Sequence, residues 1–96
     1  MKTIHKYPVN DCAMPTRLSA PIVKPLKVDY QNGQATLWAI VDTEMKPKDI
    51  FVFCIGTGHP FPSVIPHDAY LNTTVSQSDP YVWHWFCDVD LFQSID

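Results

Sequence analysis

Residues 54–60 read CIGTGHP, a hydrophobic run that ends in two of the chain's three glycines, with a threonine between them and a histidine directly after. Backbone N–H groups in such a turn can converge on an anion, and His59 adds an imidazole directly after them. The spacing is not GxGxxG, and Pro60 has no N–H to offer, so the stretch does not read as a phosphate loop. Gly56, Thr57, Gly58, His59 and Phe61 are candidate contact residues for a ligand or partner. The plainer reading is a strand exit into a proline-bearing loop that runs to about residue 68.

Nucleophilic chemistry would pair a thiol with an imidazole base, and Cys54 with His84 or His59 is the pairing that can be written. Cys54 lies in an apolar run that disfavours the thiolate, and nothing in the spacing brings a histidine to it. The four histidines show no HxH, HxxxH or Cys/His spacing of a zinc site. No catalytic residue, metal or cofactor is therefore expected, and a Cys/His-dependent enzyme is the last alternative. Tyr81, Trp83 and Trp85 recur at every second residue and form one ridge if the segment is a strand, with His84 on the other side. Tyrosine and tryptophan dominate protein interfaces and stack on flat ligands such as bases, so the ridge is either contact surface or core.

The elements that position these residues follow from one turn. KPLKVDYQ and QATLWAIVD flank Asn32-Gly33, the dipeptide that tolerates the positive φ of a type I′ hairpin turn. Counting outward pairs Gln31 with Gln34, Val28 with Leu37, Lys27 with Trp38 and Leu26 with Ala39. One face then carries Leu26, Val28, Tyr30, Ala35, Leu37, Ala39 and Val41, the expected core. The other carries Lys27, Asp29, Gln31, Thr36, Trp38 and Ile40, where Trp38 is covered by a loop or terminal segment or else meets a partner. IFVFCI at 50–55 is apolar on both faces, and the charged connection before it predicts antiparallel pairing with 35–42 in a three-stranded meander. Residues 69–75 and 81–89 read as a second hairpin across the turn at Gln77-Ser78-Asp79-Pro80, and 3–7 as a short first strand.

No helical period appears. NDCAMPTRLSAP is broken by prolines, and residues 88–96 read as a C-terminal tail or short helix. The expected fold is one mainly β domain over 1–96, a small antiparallel sandwich or half-open barrel of five to six short strands with little or no helix. A 96-residue chain buries only roughly two-thirds of its unfolded surface, so self-association as a homo-oligomer would cover what the chain leaves bare. Seven basic against ten acidic residues and no basic cluster argue against DNA or RNA as partner. The longest apolar windows fall far short of the roughly 20 residues of a bilayer span, and MKTIHKYP has no signal-peptide core. Three cysteines without CxxC spacing fit a reducing cytoplasm.

The opening KTIHKYP, the MP at 14–15, QNGQATLWAIVD, FVFCIGTGHP and VWHWF together resemble a family of small uncharacterised proteins encoded by tailed bacteriophages. The motifs are K-Y-P at Lys6, Tyr7 and Pro8; Q-x-G-x-x-x-LWA-x-VD at Gln31, Gly33, Leu37, Trp38, Ala39, Val41 and Asp42; IGTGH at Ile55 through His59; and V-x-H-x-F at Val82, His84 and Phe86. The chain departs from shorter members in its tail after Phe86, CDVDLFQSID. The resemblance carries no activity or residue role; it implies expression in the cytoplasm of an infected bacterial host. With the ridge and the acidic balance it leads to the expectation of a non-enzymatic binding protein that contacts a host protein, in counter-defence inhibition. The alternative is a sequestering protein for a small nucleotide-like ligand, with the GTGHP loop as backbone donor, His59 and Lys27 or Lys6 as charge and a tryptophan as stacking plane for a base.

Overall fold

The computed structural model describes residues 1–11, 14–76 and 80–88. They hold seven strands: β1 (Lys2–Pro8), β2 (Thr16–Ala20), β3 (Ile22–Gln31), β4 (Gln34–Asp42), β5 (Lys48–Gly56), β6 (Tyr70–Val75) and β7 (Val82–Asp88). All pairings are antiparallel, in a three-stranded sheet of order β1-β4-β3 and a four-stranded sheet of order β2-β5-β7-β6. The two sheets share one core, so the fold is a sandwich, with one strand more than the five or six expected. The extra strand is β2, whose five residues are too few to show a period beside the prolines at 15 and 21. Apart from Asp88, the expected tail or helix at 88–96 lies outside the described residues, as do positions 77–79 of the second hairpin's turn.

The Asn-Gly turn forms as its residues dictate: Asn32 and Gly33 have φ of 51° and 76°. From it the register runs as counted through Gln31–Gln34 and Val28–Leu37 to Lys27–Trp38. It then departs, because bulges between Lys27 and Pro25 and between Lys24 and Ile22 pair Ala39 with Pro25 and Val41 with Ile22. A bulge inserts one residue and reverses the faces beyond it, so Leu26, assigned to the core by counting, is 39% exposed. The second bulge lets Ile22 reach the core, where it is fully buried. Proline, which cannot donate to a ladder, fits at position 25 because β3 is an edge strand.

The expected meander of residues 35–42 with 50–55 is also corrected: β4 and β5 lie in different sheets. Both sides of β4 are occupied, one by β3 and the other by β1, which pairs from Lys2–Asp42 to Pro8–Thr36. The start of the chain closes that corner, with the Thr43 N–H donating to the Met1 carbonyl at 2.9 Å and the Asp42 N–H to the Pro21 carbonyl at 3.0 Å. The connection after Asp42 therefore crosses to the second layer, where β5 pairs with β2 and β7.

The main core joins Val28, Ala35, Leu37, Ala39 and Val41 of the first sheet to Ala20, Ile50, Val52, Cys54, Trp85 and Cys87 of the second. Trp85 is its largest fully buried side chain, and its Nε1–H donates to the Thr74 Oγ1 at 2.8 Å, so the indole's one polar atom is satisfied. Phe53, Ile65 and Phe86 form a second, smaller cluster on the outer side of the four-stranded sheet, under the 57–69 loop and its 3-10 turn (His67–Ala69). At one margin the layers are joined by the Asn72 side-chain amide. Its Oδ1 accepts from the Val28 N–H at 2.9 Å and its Nδ2 donates to the Val28 carbonyl at 2.7 Å, so Asn72 serves β3 as a neighbouring strand would.

That clamp sets a stability expectation. Asn72→Ala leaves a part-buried donor and acceptor of Val28 unpaired, at a cost of roughly 1–3 kcal/mol. Asn72→Asp keeps the acceptor but turns a carboxylate oxygen toward the Val28 carbonyl, and is expected to be at least as damaging. Thermal unfolding of the two variants against the parent checks both, and an Asn72→Ala protein as stable as the parent would show that the clamp carries no weight.

Candidate functional site

β5 ends at Gly56, opposite Trp83 on β7. The chain turns at once: the His59 N–H donates to the Gly56 carbonyl at 3.0 Å, the Thr57 N–H to the Val82 carbonyl at 3.2 Å, and Gly58 has φ of 85°. Residue 56 must be small because the His59 ring folds over it. A Cβ there would meet two His59 ring atoms at 2.7 Å and the Trp83 ring at 3.2 Å. The His59 imidazole stands edge-on to the Trp83 indole, with centroids 6.3 Å apart. The Gly-Thr-Gly turn is thus a strand exit shaped by an aromatic contact.

On the outer side of the same sheet a row of polar side chains joins three elements. The Thr57 Oγ1 lies 2.7 Å from the His84 Nε2, the His84 Nδ1 lies 2.9 Å from the Thr73 Oγ1, and that hydroxyl lies 2.7 Å from the Tyr70 Oη. Both imidazole nitrogens are satisfied by hydroxyls, which donate or accept as the tautomer requires. Thr57 and His84 are both sequence candidates, whereas Thr73 and Tyr70 had no signal. Simple alternation places residues 70 and 73 on opposite faces, and only the bulge between Tyr70 and Asn72 brings them together. The row ends in a tyrosine and contains no carboxylate.

The Cys54–histidine pairing is not assembled. Cys54 and Cys87 are buried in the main core, while His84 sits on the opposite face of the sheet. Burial, and then the nearby Asp88 carboxylate, push the Cys87 thiol up to about 12. Of the two readings of the ridge, contact surface or core, Trp85 takes the core: it is fully buried, its place opposite Cys54 lying well inside the sandwich. Along the ridge burial falls toward the strand's start, through a half-buried Trp83 to Tyr81 at 49% exposed. Phe61 joins the lid, edge-on to Phe86 at 5.1 Å and to His67 at 5.4 Å.

Trp38 lies on the other broad surface, the outer face of the three-stranded sheet, flanked by Lys6 of β1 and Lys27 of β3. Ile4 and Ile40 pair in the next row, and Ile4 is 57% exposed. The Lys6 Nζ reaches across β4 to donate to the Gln31 Oε1 at 2.7 Å. The Lys27 Nζ is 3.1 Å from an Asp29 carboxylate oxygen. The Tyr30 N–H, and then Lys27, hold the Asp29 carboxyl below its ordinary range. Two shallow troughs mark this side. One of about 430 Å³ is lined by Ile4, His5, Lys6, Tyr7 and Trp38, the other of about 320 Å³ by Lys6, Pro8, Gln31, Asn32, Gln34 and Thr36. Trp38 and Lys27 are therefore neighbours as read from the sequence, but the 56–59 turn lies across the sandwich from them. The turn meets Trp83, whose ring stands against His59, rather than Trp38, Lys27 or Lys6.

Among the described residues no three His, Cys, Asp or Glu side chains gather as a metal site would require, and no helix is long and apolar enough to cross a membrane. The family described as "Domain of unknown function (DUF7352)" matches residues 1–94, nearly the whole chain. No curated protein and no solved structure matches it.

The thiols give this geometry a direct check. A thiol raised by burial keeps its proton in the folded state where the unfolded chain has lost it. Cys87 thus contributes stability that is present below the ordinary thiol range and is lost as pH rises toward about 12. In a Cys12→Ser background at mildly alkaline pH, iodoacetamide is expected to leave Cys54 and Cys87 unmodified in the native protein and to label both in denaturant. Labelling of either in the native protein at the denatured rate would remove them from the core.

Proposed function

The chain belongs to that family, and we propose that it works as a non-enzymatic binding module whose contact surface is the open face of the three-stranded sheet, centred on Trp38. One observation carries the reading: the two outer faces are treated differently. Over the four-stranded sheet the chain lays its 57–69 loop, burying Ile65 against Phe53 and Phe86. Over the three-stranded sheet Ile4 stays 57% and Leu26 39% exposed, beside the half-buried Trp38 and Ile40. A tryptophan among aliphatic side chains on a flat surface is the composition of an interface hot spot, and lysines at the rim suit a contact that excludes water at its centre.

The likeness to tailed-phage proteins in the K-Y-P, LWA-x-VD, IGTGH and V-x-H-x-F motifs supports a host protein as partner and inhibition of a host defence as the role, in the cytoplasm of an infected bacterium. Self-association through the β2 edge of the other sheet is compatible with this face remaining available.

The test is affinity capture from a bacterial lysate with the parent, Trp38→Ala and, as an aromatic control on another surface, Tyr81→Ala. Removing a hot-spot tryptophan costs about 2 kcal/mol or more of binding, so Trp38→Ala is expected to lose the captured partner at unchanged melting temperature while Tyr81→Ala retains it. A Trp38→Ala protein that captures everything the parent does would end this reading.

A further inference from the structure

We propose that the free edge of β1 is the partner's seat, and that it takes an extended segment carrying acidic, apolar and acidic residues at alternate positions. This rests on the reading of the Trp38 face as a docking surface, and it names the chemistry of the occupant. Three observations converge on it.

The first is an open backbone edge. Among the described residues β1 is an edge of its sheet, paired only with β4. The opposite edge, β3, is occupied at Val28 by the Asn72 amide. The larger trough is lined by four consecutive β1 residues, Ile4 to Tyr7, together with Trp38. The trough runs along β1 and reaches Trp38 of the outer face, so the edge and the docking face adjoin. An added strand there continues the sheet with main-chain hydrogen bonds and takes its specificity from alternate side chains.

The second is charge. Lys2, Lys6, Lys24 and Lys27 lie on this face, four of the seven basic residues of a chain whose net charge is −3. The two carboxylates among them are engaged: Asp29 with Lys27 at 3.1 Å, and Asp42 with the N-terminal ammonium at 3.5 Å. Along β1 the outward residues are Lys2, Ile4 and Lys6, a cation on either side of an exposed aliphatic side chain. The complementary strand presents a carboxylate, an apolar residue and a carboxylate, each opposite its match.

The third is the state of Lys6. Among the described residues its ammonium is held by the neutral Gln31 amide and by no carboxylate. An arriving carboxylate exchanges a neutral acceptor for a charged one, which is the stronger hydrogen bond, and breaks no ion pair to do so. A second copy fits the edge less well: two-fold pairing that sets Ile4 against Ile4 also sets Lys2 against Lys6 at both ends.

The probe is a fluorescein-labelled nonapeptide, Gly-Thr-Glu-Thr-Ile-Thr-Glu-Thr-Gly, with two controls in which both glutamates are replaced by glutamine or by lysine. Fluorescence anisotropy with the full chain is expected to show binding of the glutamate peptide, about a tenfold loss for the glutamine peptide and no binding of the lysine peptide. Added salt should weaken the glutamate peptide's binding. Lys6→Gln should lower it by a similar factor, and Lys6→Glu should make the lysine peptide the better ligand. Hydrogen exchange should show new protection within residues 2–8. Equal binding of all three peptides, indifference to Lys6→Gln, or no protection of β1 overturns the proposal. So does a dimer of the free chain with β1 already protected, since the edge then takes a second copy. If the glutamate peptide fails while Trp38→Ala still abolishes partner capture, this inference falls and the docking face stands. If Trp38→Ala leaves capture intact, the docking face itself falls.

Discussion

The four-stranded sheet must bury both of its faces, and the rest of the structure follows from that demand. Along β5, Ile50, Val52 and Cys54 enter the main core while Phe51, Phe53 and Ile55 face away from it. Along β7, Trp85 and Cys87 point in and Phe86 points out. A pleated strand puts successive side chains on opposite sides, so runs as apolar as these cannot sit at a surface. The three-stranded sheet covers one side, and the 57–69 loop is drawn over the other. Gly56 is where the chain leaves the sheet to become that cover. The need for a glycine there is a packing need, since the His59 and Trp83 rings occupy the space a Cβ would take.

Among the described residues no comparable segment lies over the outer face of the other layer, where Ile4 is 57% exposed. The outer face of the three-stranded sheet keeps the alternation of a half-buried sheet, with its inward residues in the core and Lys6, Trp38 and Lys27 in one outward row. That row is where the chain's apolar and cationic side chains are interleaved. The outer side of the opposite layer, by contrast, consumes its polar groups internally: Thr57, His84, Thr73 and Tyr70 bond to one another in sequence.

Local chemistry was legible in the sequence, and long-range choices were not. The Asn-Gly turn fixed the pairing from Gln31–Gln34 to Lys27–Trp38, because turn type and pleat together leave no freedom over that span. Beyond Lys27 the bulges intervene, and one inserted residue moved Leu26 from core to surface with no compositional mark other than Pro25. The sheet that β5 joins depended on β1 claiming the free side of β4, a contact between residues 28 to 40 positions apart. The tryptophans divide on the same principle. Trp83 and Trp85 have near-identical neighbours in sequence, yet only Trp85 is fully enclosed, because it pairs with Cys54 inside the sandwich while Trp83 pairs with Gly56 at its rim. Trp38 was recognised as out of place on a polar face, but whether chain covers it is decided by where the loops run.

Among the described residues an apolar face stands uncovered beside an open strand edge, an arrangement that invites unspecific pairing, and the residues on β1 bear on that hazard directly. Lys2 and Lys6 oppose the approach of a like-charged strand, and Pro8 removes a donor from the end of the edge. The same two lysines, spaced about Ile4, favour a strand of opposite charge. On the docking reading proposed above, resistance to unspecific pairing and choice of partner would come from one arrangement of charges. Neutralising Lys6 to tighten an apolar contact would also loosen the restriction on what binds, so affinity gained by removing charge here is affinity for a wider set of strands.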